Sequence, residues 1–378
     1  MTMERRDFIK FGLSGCVLLS SPFSLAADSR SKPRKIVWVM LRGAMDSLHA
    51  IVPSFDPDLS KHRQALLKPL ADTLLPLESG YHLHPALKNM HQWYQQKQMI
   101  PVVAVASPYR SRSHFAAQDM LESGLSGIEH DNGWLARALG EYQGEAFAIA
   151  RSVPISLRGS PNTRTWYPSN LPEADIGLYQ QLVKLYQNDP ALMAVLEQGI
   201  RTRKTINMSA KSPRKPKFSH LAQNCGELLA ANPNTSCAML EMGGWDTHNS
   251  QVSRLNKQFS QLDEGLASLR VALADQWQQT IVLVATEFGR TVAVNGTFGT
   301  DHGTASALMV LGGALKGGRV AGQWPGLKPE DLFEGRDLKP TSDIRSWIAT
   351  ILRQHWHLND RQISSVFPDV TPIAQQLI

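Results

Sequence analysis

Cysteine is scarce, with three in 378 residues, too few for a disulfide scaffold or a structural zinc site built on thiolates. One of them, Cys16, lies near the amino terminus, so Cys225 and Cys237 alone remain for the folded part, and an oxidising compartment would allow one bridge between them. Long apolar runs are missing as well. Beyond the amino terminus nothing approaches the roughly 20 apolar residues that span a bilayer. Charge of one sign is also weak, since 39 Lys and Arg against 33 Asp and Glu leave a net +6. Much of the excess is local, in RTRKTINMSAKSPRKPKF from Arg201 to Phe218, where no aromatics interleave the charges. A solvated linker or flap fits that pattern better than a nucleic-acid patch, so no nucleic-acid partner is expected. What is present, 42% hydrophobic and 19% charged residues, is the composition of an ordinary globular chain with one large core or two modest ones.

The first 26 residues, MTMERRDFIKFGLSGCVLLSSPFSLA, combine paired arginines, an apolar stretch and a small-residue exit at Ser24-Leu25-Ala26, the pattern of an export signal. Arg5-Arg6 followed by Asp7, Phe8, Ile9 and Lys10 resembles the twin-arginine signal, whose machinery passes folded proteins, with Glu4 where Ser or Thr is usual. Leu13-Ser14-Gly15-Cys16 also has the form of a lipoprotein box that would leave a lipid anchor on Cys16. The apolar run continues through Val17-Leu18-Leu19, which favours the longer signal cut after Ala26. The expected location is the periplasm, reached by the twin-arginine pathway, with the membrane involved only in export. Cleavage removes three cations and two anions, leaving a mature net charge of +5.

Six short apolar runs read as strands: Lys35 to Leu41, Ile100 to Ala106, Ala146 to Ala150, Thr235 to Leu240, Thr280 to Thr286 and Ser306 to Gly312. Their apolarity is continuous rather than alternating, so both faces should be covered. Helical patterns lie between several of them: HPALKNMHQWYQQ, the Leu178 to Glu197 stretch, and a long one with Leu255, Phe259, Leu262, Leu266 and Leu269 on one face. Strands alternating with helices predict an α/β sandwich around a mainly parallel sheet. The irregular stretch 158–177 and the basic stretch 201–218 are expected to be cap-like insertions.

In open α/β sheets the ligand crevice lies beyond the carboxyl ends of the strands. Those positions are polar here. Arg42, Gly43 and Asp46 follow the first run; Arg110, Arg112, Ser113 and His114 the second; Asp246 and His248 the fourth; Glu287 and Arg290 the fifth. Asp301 and His302 precede the last. Carboxylates and imidazoles converging from separate elements suit divalent metals, so Asp246, His248, Asp301 and His302 are expected to share one or two ions, with Glu287 and Asp46 completing the shell. Mixed nitrogen and oxygen donors put zinc and manganese ahead of calcium. In GGWDTH, Gly243 and Gly244 should turn the chain off the strand end and Trp245 should wall the pocket. Each residue also has a plainer use: Asp246 as a cap for the helix near Asn249, His248 bonded to a carbonyl, Glu287 paired with Arg290, Asp46 in a turn. Ser113 opens the helix HFAAQDMLESG, either as its cap or, beside Arg110 and Arg112, as a nucleophile where helix N–H groups attract an anion. His114 is its nearest rival.

LRGAMDSLHAIVP, RSRSHFAAQDMLESG, GGWDTH, TEFGRT and TDHG, in this order, resemble the exported bacterial family catalogued as domain of unknown function 1501, from about Ile36 to the closing SVFPDV. That family is grouped with the alkaline phosphatase-like superfamily of sulfatases, phosphoglycerate mutases and nucleotide pyrophosphatases. The resemblance implies a three-layer α/β/α sandwich with a mainly parallel sheet, alkaline phosphatase-like, with residues 27–378 as a single domain, Ser113 on the nucleophile helix and His302 at the metal. Two departures stand out. The superfamily's aspartate directly after the first strand is Arg42 here, with Asp46 four residues on, and its Asp-His-Gly is Glu287-Phe288-Gly289, which loses an imidazole. Formylglycine sulfatase chemistry is not expected, because neither Ser111 nor Ser113 has Pro two residues on and Arg four on. The expected function is metal-assisted hydrolysis of a small phosphate or related anionic ester, with Arg42, Arg112 and Arg290 neutralising the transferring oxygens. The alternative is a non-catalytic relative that binds an anionic ligand or a protein partner.

Overall fold

Lys35–Arg42 forms β1 and sends Ile36, Trp38 and Met40 into one apolar layer and Val37, Val39 and Leu41 into the other. A strand covered on both faces has no polar alternation to display, which is why its sequence reads as one apolar run. The computed structural model describes residues 33–168, 176–205 and 216–378. After β1 its strands are β2 (Ile51–Pro53), β3 (Leu75–Pro76), β4 (Tyr81–Leu83), β5 (Met99–Ala106), β6 (Glu145–Ala148), β7 (Thr163–Thr165), β8 (Thr235–Gly243), β9 (Thr280–Thr286), β10 (Ser306–Leu311) and β11 (Ser342–Asp343).

Eight of these make one sheet in the order β11-β5-β10-β9-β1-β8-β6-β7, and all six expected strands are in it. Every pairing is parallel except those of β10, which runs antiparallel to both β5 and β9. The helices Lys88–Gln95, Phe218–Ala231 and Gln251–Leu273 cover one face. Trp134–Tyr142, Ile344–His355, Asp360–Val366 and the Leu121 end of His114–Ser123 cover the other. The fold is a three-layer α/β/α sandwich with a mainly parallel sheet. Its carboxyl edge collects the ends of β1, β5, β8 and β9 and, because β10 is reversed, the segment that precedes β10.

Within 158–177 the residues Thr163–Thr165 are sheet, pairing with β6 as the edge strand β7, while 169–175 lie outside the described residues. The expected Leu178 to Glu197 helix is two, Ile176–Tyr186 and Pro190–Thr205, broken where proline cannot continue the first. Most of 201–218, and the whole leader 1–26, also lie outside the described residues. No described helix is long and apolar enough to cross a membrane. The possible Cys225–Cys237 bridge is not formed: both thiols are free and buried, Cys225 packing on one face of the sheet and Cys237 on the other.

Beside β2 and β4 two buried imidazoles, His49 and His84, lie with ring centroids 5.3 Å apart and pack on Phe259. Burial holds His49 down to about 4 and His84 to about 3. An unfolded histidine takes its proton near pH 6.5, so between about 6.5 and 4 the unfolded chain binds protons that the folded chain refuses. The stability these two groups contribute is therefore full above that window and is lost as the pH drops through it, by on the order of 3 kcal/mol for His49. Urea midpoints followed from pH 7.5 to 4.5 should decline, and a His49→Leu, His84→Leu double variant should flatten the decline. An unchanged slope would assign the acid loss to other groups.

Candidate metal centre

Two glycine-dependent contacts set the site. Gly43, at φ +120°, lies so close to the strand end of β8 that a Cβ would come within 2.7 Å of the Asp246 amide nitrogen. That contact fixes where Asp246 leaves the sheet. Trp245 does not wall the pocket: it turns fully into the core, against Phe259 at 5.3 Å, which leaves Asp246 and His248 on the solvent side. Across from them the segment after β9 is zipped to the segment before β10, Thr291 N–H donating to the Asp301 carbonyl at 2.9 Å and Gly303 N–H to the Gly289 carbonyl at 2.8 Å. Gly303 has no room for a side chain, since a Cβ would meet the Arg290 backbone at 2.4 Å. Arg290 and His302 consequently stand side by side.

Three imidazoles and one carboxylate converge here. His302 Nε2 is 3.0 Å from His114 Nε2, 3.1 Å from His248 Nε2 and 3.3 Å from Asp246 Oδ1. His248 Nε2 is itself 2.9 Å from Asp246 Oδ1, and one donor atom from each of His114, Asp246 and His302 falls within 4.8 Å of the others. The cluster faces water, with side-chain exposures from 22% for His114 to 44% for Asp246.

The opposite nitrogen of each ring has a partner that can only accept. His114 Nδ1 faces Glu287 Oε1 at 2.7 Å, His248 Nδ1 faces Asp301 Oδ1 at 3.1 Å, and His302 Nδ1 faces the Arg112 carbonyl at 3.2 Å. Those partners assign the N–H to Nδ1 in each neutral ring and turn three lone pairs toward one another. A carboxylate or carbonyl anchoring each imidazole from behind is the usual second layer of a histidine metal site.

The outer partners also set the protonation of the cluster. The Glu287 hydrogen bond lifts His114 above the ordinary imidazole range, while burial, His114 and Arg290 push His302 below it. Burial would raise Asp246, but its Arg290 bond and the nearby imidazoles outweigh it, and the carboxyl sits below the usual range.

Several expected site residues are elsewhere or in other company. Asp46 is removed from the cluster, buried against Arg63 at 2.6 Å, because a carboxylate inside the core needs a full set of donors. Glu287 and Asp301 stand behind His114 and His248, one hydrogen bond further out. The three arginines expected to face a substrate are each paired: Arg42 with Glu122 and Glu241, Arg112 with Asp337 and Glu334, Arg290 with Asp246 at 2.7 Å. Asp246 caps no helix, the Gln251–Leu273 helix starting after Ser250. Ser113 occupies the N-cap position of its helix, yet its side chain makes no cap hydrogen bond and is exposed beside the two residues that hold and supply the cluster, Arg112 and His114.

Sequence reading missed Gln118, which donates to Glu287 at 2.9 Å and lies one helical turn beyond His114, a spacing that would have revealed it. It also missed Arg336, which bonds the His302 carbonyl at 2.7 Å and for which no local signal exists. Phe288 packs on His114 at 4.9 Å and on His302 at 5.3 Å, bracing both rings.

An α/β/α sandwich carrying an open histidine–aspartate cluster at its strand ends is the class of protein these features define. A family model described as protein of unknown function (DUF1501) matches residues 103–367, and the chain belongs to that family. No curated protein matches. Among solved structures the chain is similar to alkaline phosphatase from the Antarctic bacterium TAB5, at 11% identity, 89% of this chain, 99% of that chain and TM-score 0.37. It is also similar to phosphonate monoester hydrolase of Agrobacterium radiobacter, at 10% identity, 77% and 71% coverage and TM-score 0.39. A third likeness is to BT1596, a 2-O GAG sulfatase, at 8% identity, 90% and 73% coverage and TM-score 0.37. Likeness at this level transfers no residue roles, so the chemistry follows from the site's own atoms.

Proposed function

We propose that His114, Asp246, His248 and His302 hold one divalent metal ion, and that the protein uses it to hydrolyse phosphate or related anionic esters. The observation that carries this reading is the convergence of three Nε2 lone pairs and an ionised carboxylate at one solvent-open point, each ring anchored from behind. Only a proton or a cation stabilises such a group, and the mixed donors favour zinc or manganese over calcium. Because Asp46 is committed to Arg63 and Phe288 replaces an imidazole, the donors support one ion rather than two. A divalent ion bound there supplies Lewis-acid polarisation of the ester oxygen.

The chain's own groups do the rest. Ser113 presents an uncapped hydroxyl at the amino end of its helix, where N–H groups favour the anionic ester. Its Oγ bonds to phosphorus as the bond to the alcohol oxygen breaks, the serine proton reaching the departing oxygen through water. A water molecule then cleaves the serine ester and restores the hydroxyl. Arg290 orients Asp246, and Glu287, Asp301 and the Arg112 carbonyl keep the three Nε2 atoms unprotonated.

The second reading, a non-catalytic protein that binds an anionic ligand or protein partner at the same centre, is favoured by the pairing of Arg42, Arg112 and Arg290 with carboxylates. A panel of phosphomonoesters, phosphodiesters, phosphonates and sulfate esters, assayed with zinc, manganese, magnesium and calcium, separates the two. The hydrolase reading expects metal-dependent turnover that Ser113→Ala lowers by about a hundredfold or more. Inactivity of metal-loaded protein on every ester moves the conclusion to binding.

Export through the twin-arginine pathway to the periplasm, with a mature domain from residue 27, belongs to the same reading and rests on Arg5-Arg6 and the Ser24-Leu25-Ala26 exit. The intact mass of the protein from a periplasmic extract should correspond to a chain beginning at Ala27. A lipidated chain starting at Cys16, or one retaining Met1, contradicts it.

A further inference from the structure

A second cleft, about 380 Å³ in volume, opens beside the metal centre at the ends of β1, β6 and β8. Arg42 connects the two. Its guanidinium donates to Gln118 at 2.8 Å, Gln118 donates to Glu287 at 2.9 Å, and Glu287 holds His114. The cleft is therefore separated from the cluster by one layer of side chains.

The charges in its walls cancel, three arginines (Arg42, Arg151, Arg158) facing three carboxylates (Asp119, Glu122, Glu241). Neither an anion nor a cation is attracted by such a wall, and an apolar ligand would strand its polar groups without partners. What remains uncommitted is specific. Both oxygens of Glu122 are taken, by Arg42 and by the Ser156 amide, and Arg158 is spent on the backbone carbonyls of Val153 and His130. Asp119 faces His130 at 3.4 Å, and Glu241 gives one oxygen to Arg42 and, among the described residues, keeps another for a donor. Arg151 has no carboxylate partner among the described residues and lies over the Tyr167 ring at 5.2 Å. The cleft thus offers free donors and free acceptors side by side without net charge. A zwitterion suits it less well, because an ammonium on Glu241 would stand close to the Arg42 guanidinium already bonded to that carboxylate. Adjacent hydroxyls, each donor and acceptor at once, meet no such repulsion.

We propose that this cleft binds a neutral polyhydroxylated ligand, a sugar or polyol; that this ligand is the alcohol part of the ester rests on the hydrolase reading above. Arg151 and Glu241 make its hydrogen bonds and the half-buried Tyr167 shapes its wall. Saturation-transfer NMR on the full-length zinc-loaded protein, with glucose, galactose, mannose and myo-inositol against p-nitrophenol and glycine, provides the test. At least one hydroxyl-rich probe is expected to bind, and Arg151→Ala and Glu241→Gln are each expected to weaken it about tenfold, the loss of one hydrogen bond to a charged group. Zinc content should stay at the wild-type value, since neither residue belongs to the cluster. Failure of every hydroxyl-rich probe to bind, stronger binding of p-nitrophenol or glycine, or binding untouched by both substitutions overturns the proposal. Sugar binding by a protein that hydrolyses no ester would sink the hydrolase and leave the cleft standing; turnover of p-nitrophenyl phosphate with no sugar bound would do the reverse.

Discussion

Replacing His302 with alanine is expected to empty the metal centre and, on the hydrolase reading, to lower ester turnover by on the order of 10³-fold or more. His302 is singled out by position. Its Nε2 is the atom within 3.3 Å of both other imidazoles and of Asp246, so its loss removes the donor around which the rest are arranged. Glu287→Gln and Asp301→Asn should act more gently, because each leaves all four donors in place and alters only the anchoring behind one ring. A weakening of metal affinity by about 10- to 100-fold is typical of such partners. Metal stoichiometry by elemental analysis after incubation with zinc and gel filtration reads both effects. Full retention of zinc by His302→Ala would show that the cluster is a hydrogen-bonded network and not a metal site.

The central strands were legible because of their burial. Each is covered on both faces, and a continuous apolar run is what such a strand requires, as the two sets of residues on β1 show. The direction of β10 was not legible, since an apolar run carries no mark of parallel or antiparallel pairing. Nor were the edges β7 and β11, three and two polar residues that are strands only through their registers with β6 and β5. At the site, sequence position puts Asp246, His248 and His302 at one sheet edge but does not rank donors. Whether a carboxylate reaches a metal directly or through a histidine depends on ångström-scale offsets between loops, and these come from contacts such as the one between Gly303 and Arg290. Arginines at strand ends likewise read as substrate-facing cations, although their carboxylate partners, Glu122 and Asp337 among them, come from distant segments.

Asp46 carries the other large effect, on stability rather than on metal. Its Oδ2 receives Arg63 Nη1 and Gln251 Nε2, both at 2.6 Å, and its Oδ1 receives the Leu48 amide at 3.1 Å. Arg63, fully buried, spends its other donors on the carbonyls of Val292 at 2.8 Å and Thr291 at 2.7 Å, directly after Arg290. The pair therefore ties the helix Leu59–Leu67 to the loop that carries one side of the candidate metal centre. Burial would raise the Asp46 carboxyl, but Arg63 outweighs it and holds the group below the usual carboxylate range, so removing either partner leaves the other to bear the full cost of its burial. Asp46→Ala or Arg63→Met should each lower the free energy of unfolding by about 3–5 kcal/mol, the cost of stranding one buried charge. The molecules that remain folded should bind zinc as wild type does, because neither residue touches the cluster. Equilibrium urea unfolding together with zinc content of the folded fraction distinguishes the roles: Asp46→Ala protein of normal stability that had lost its metal would return Asp46 to the ligand shell.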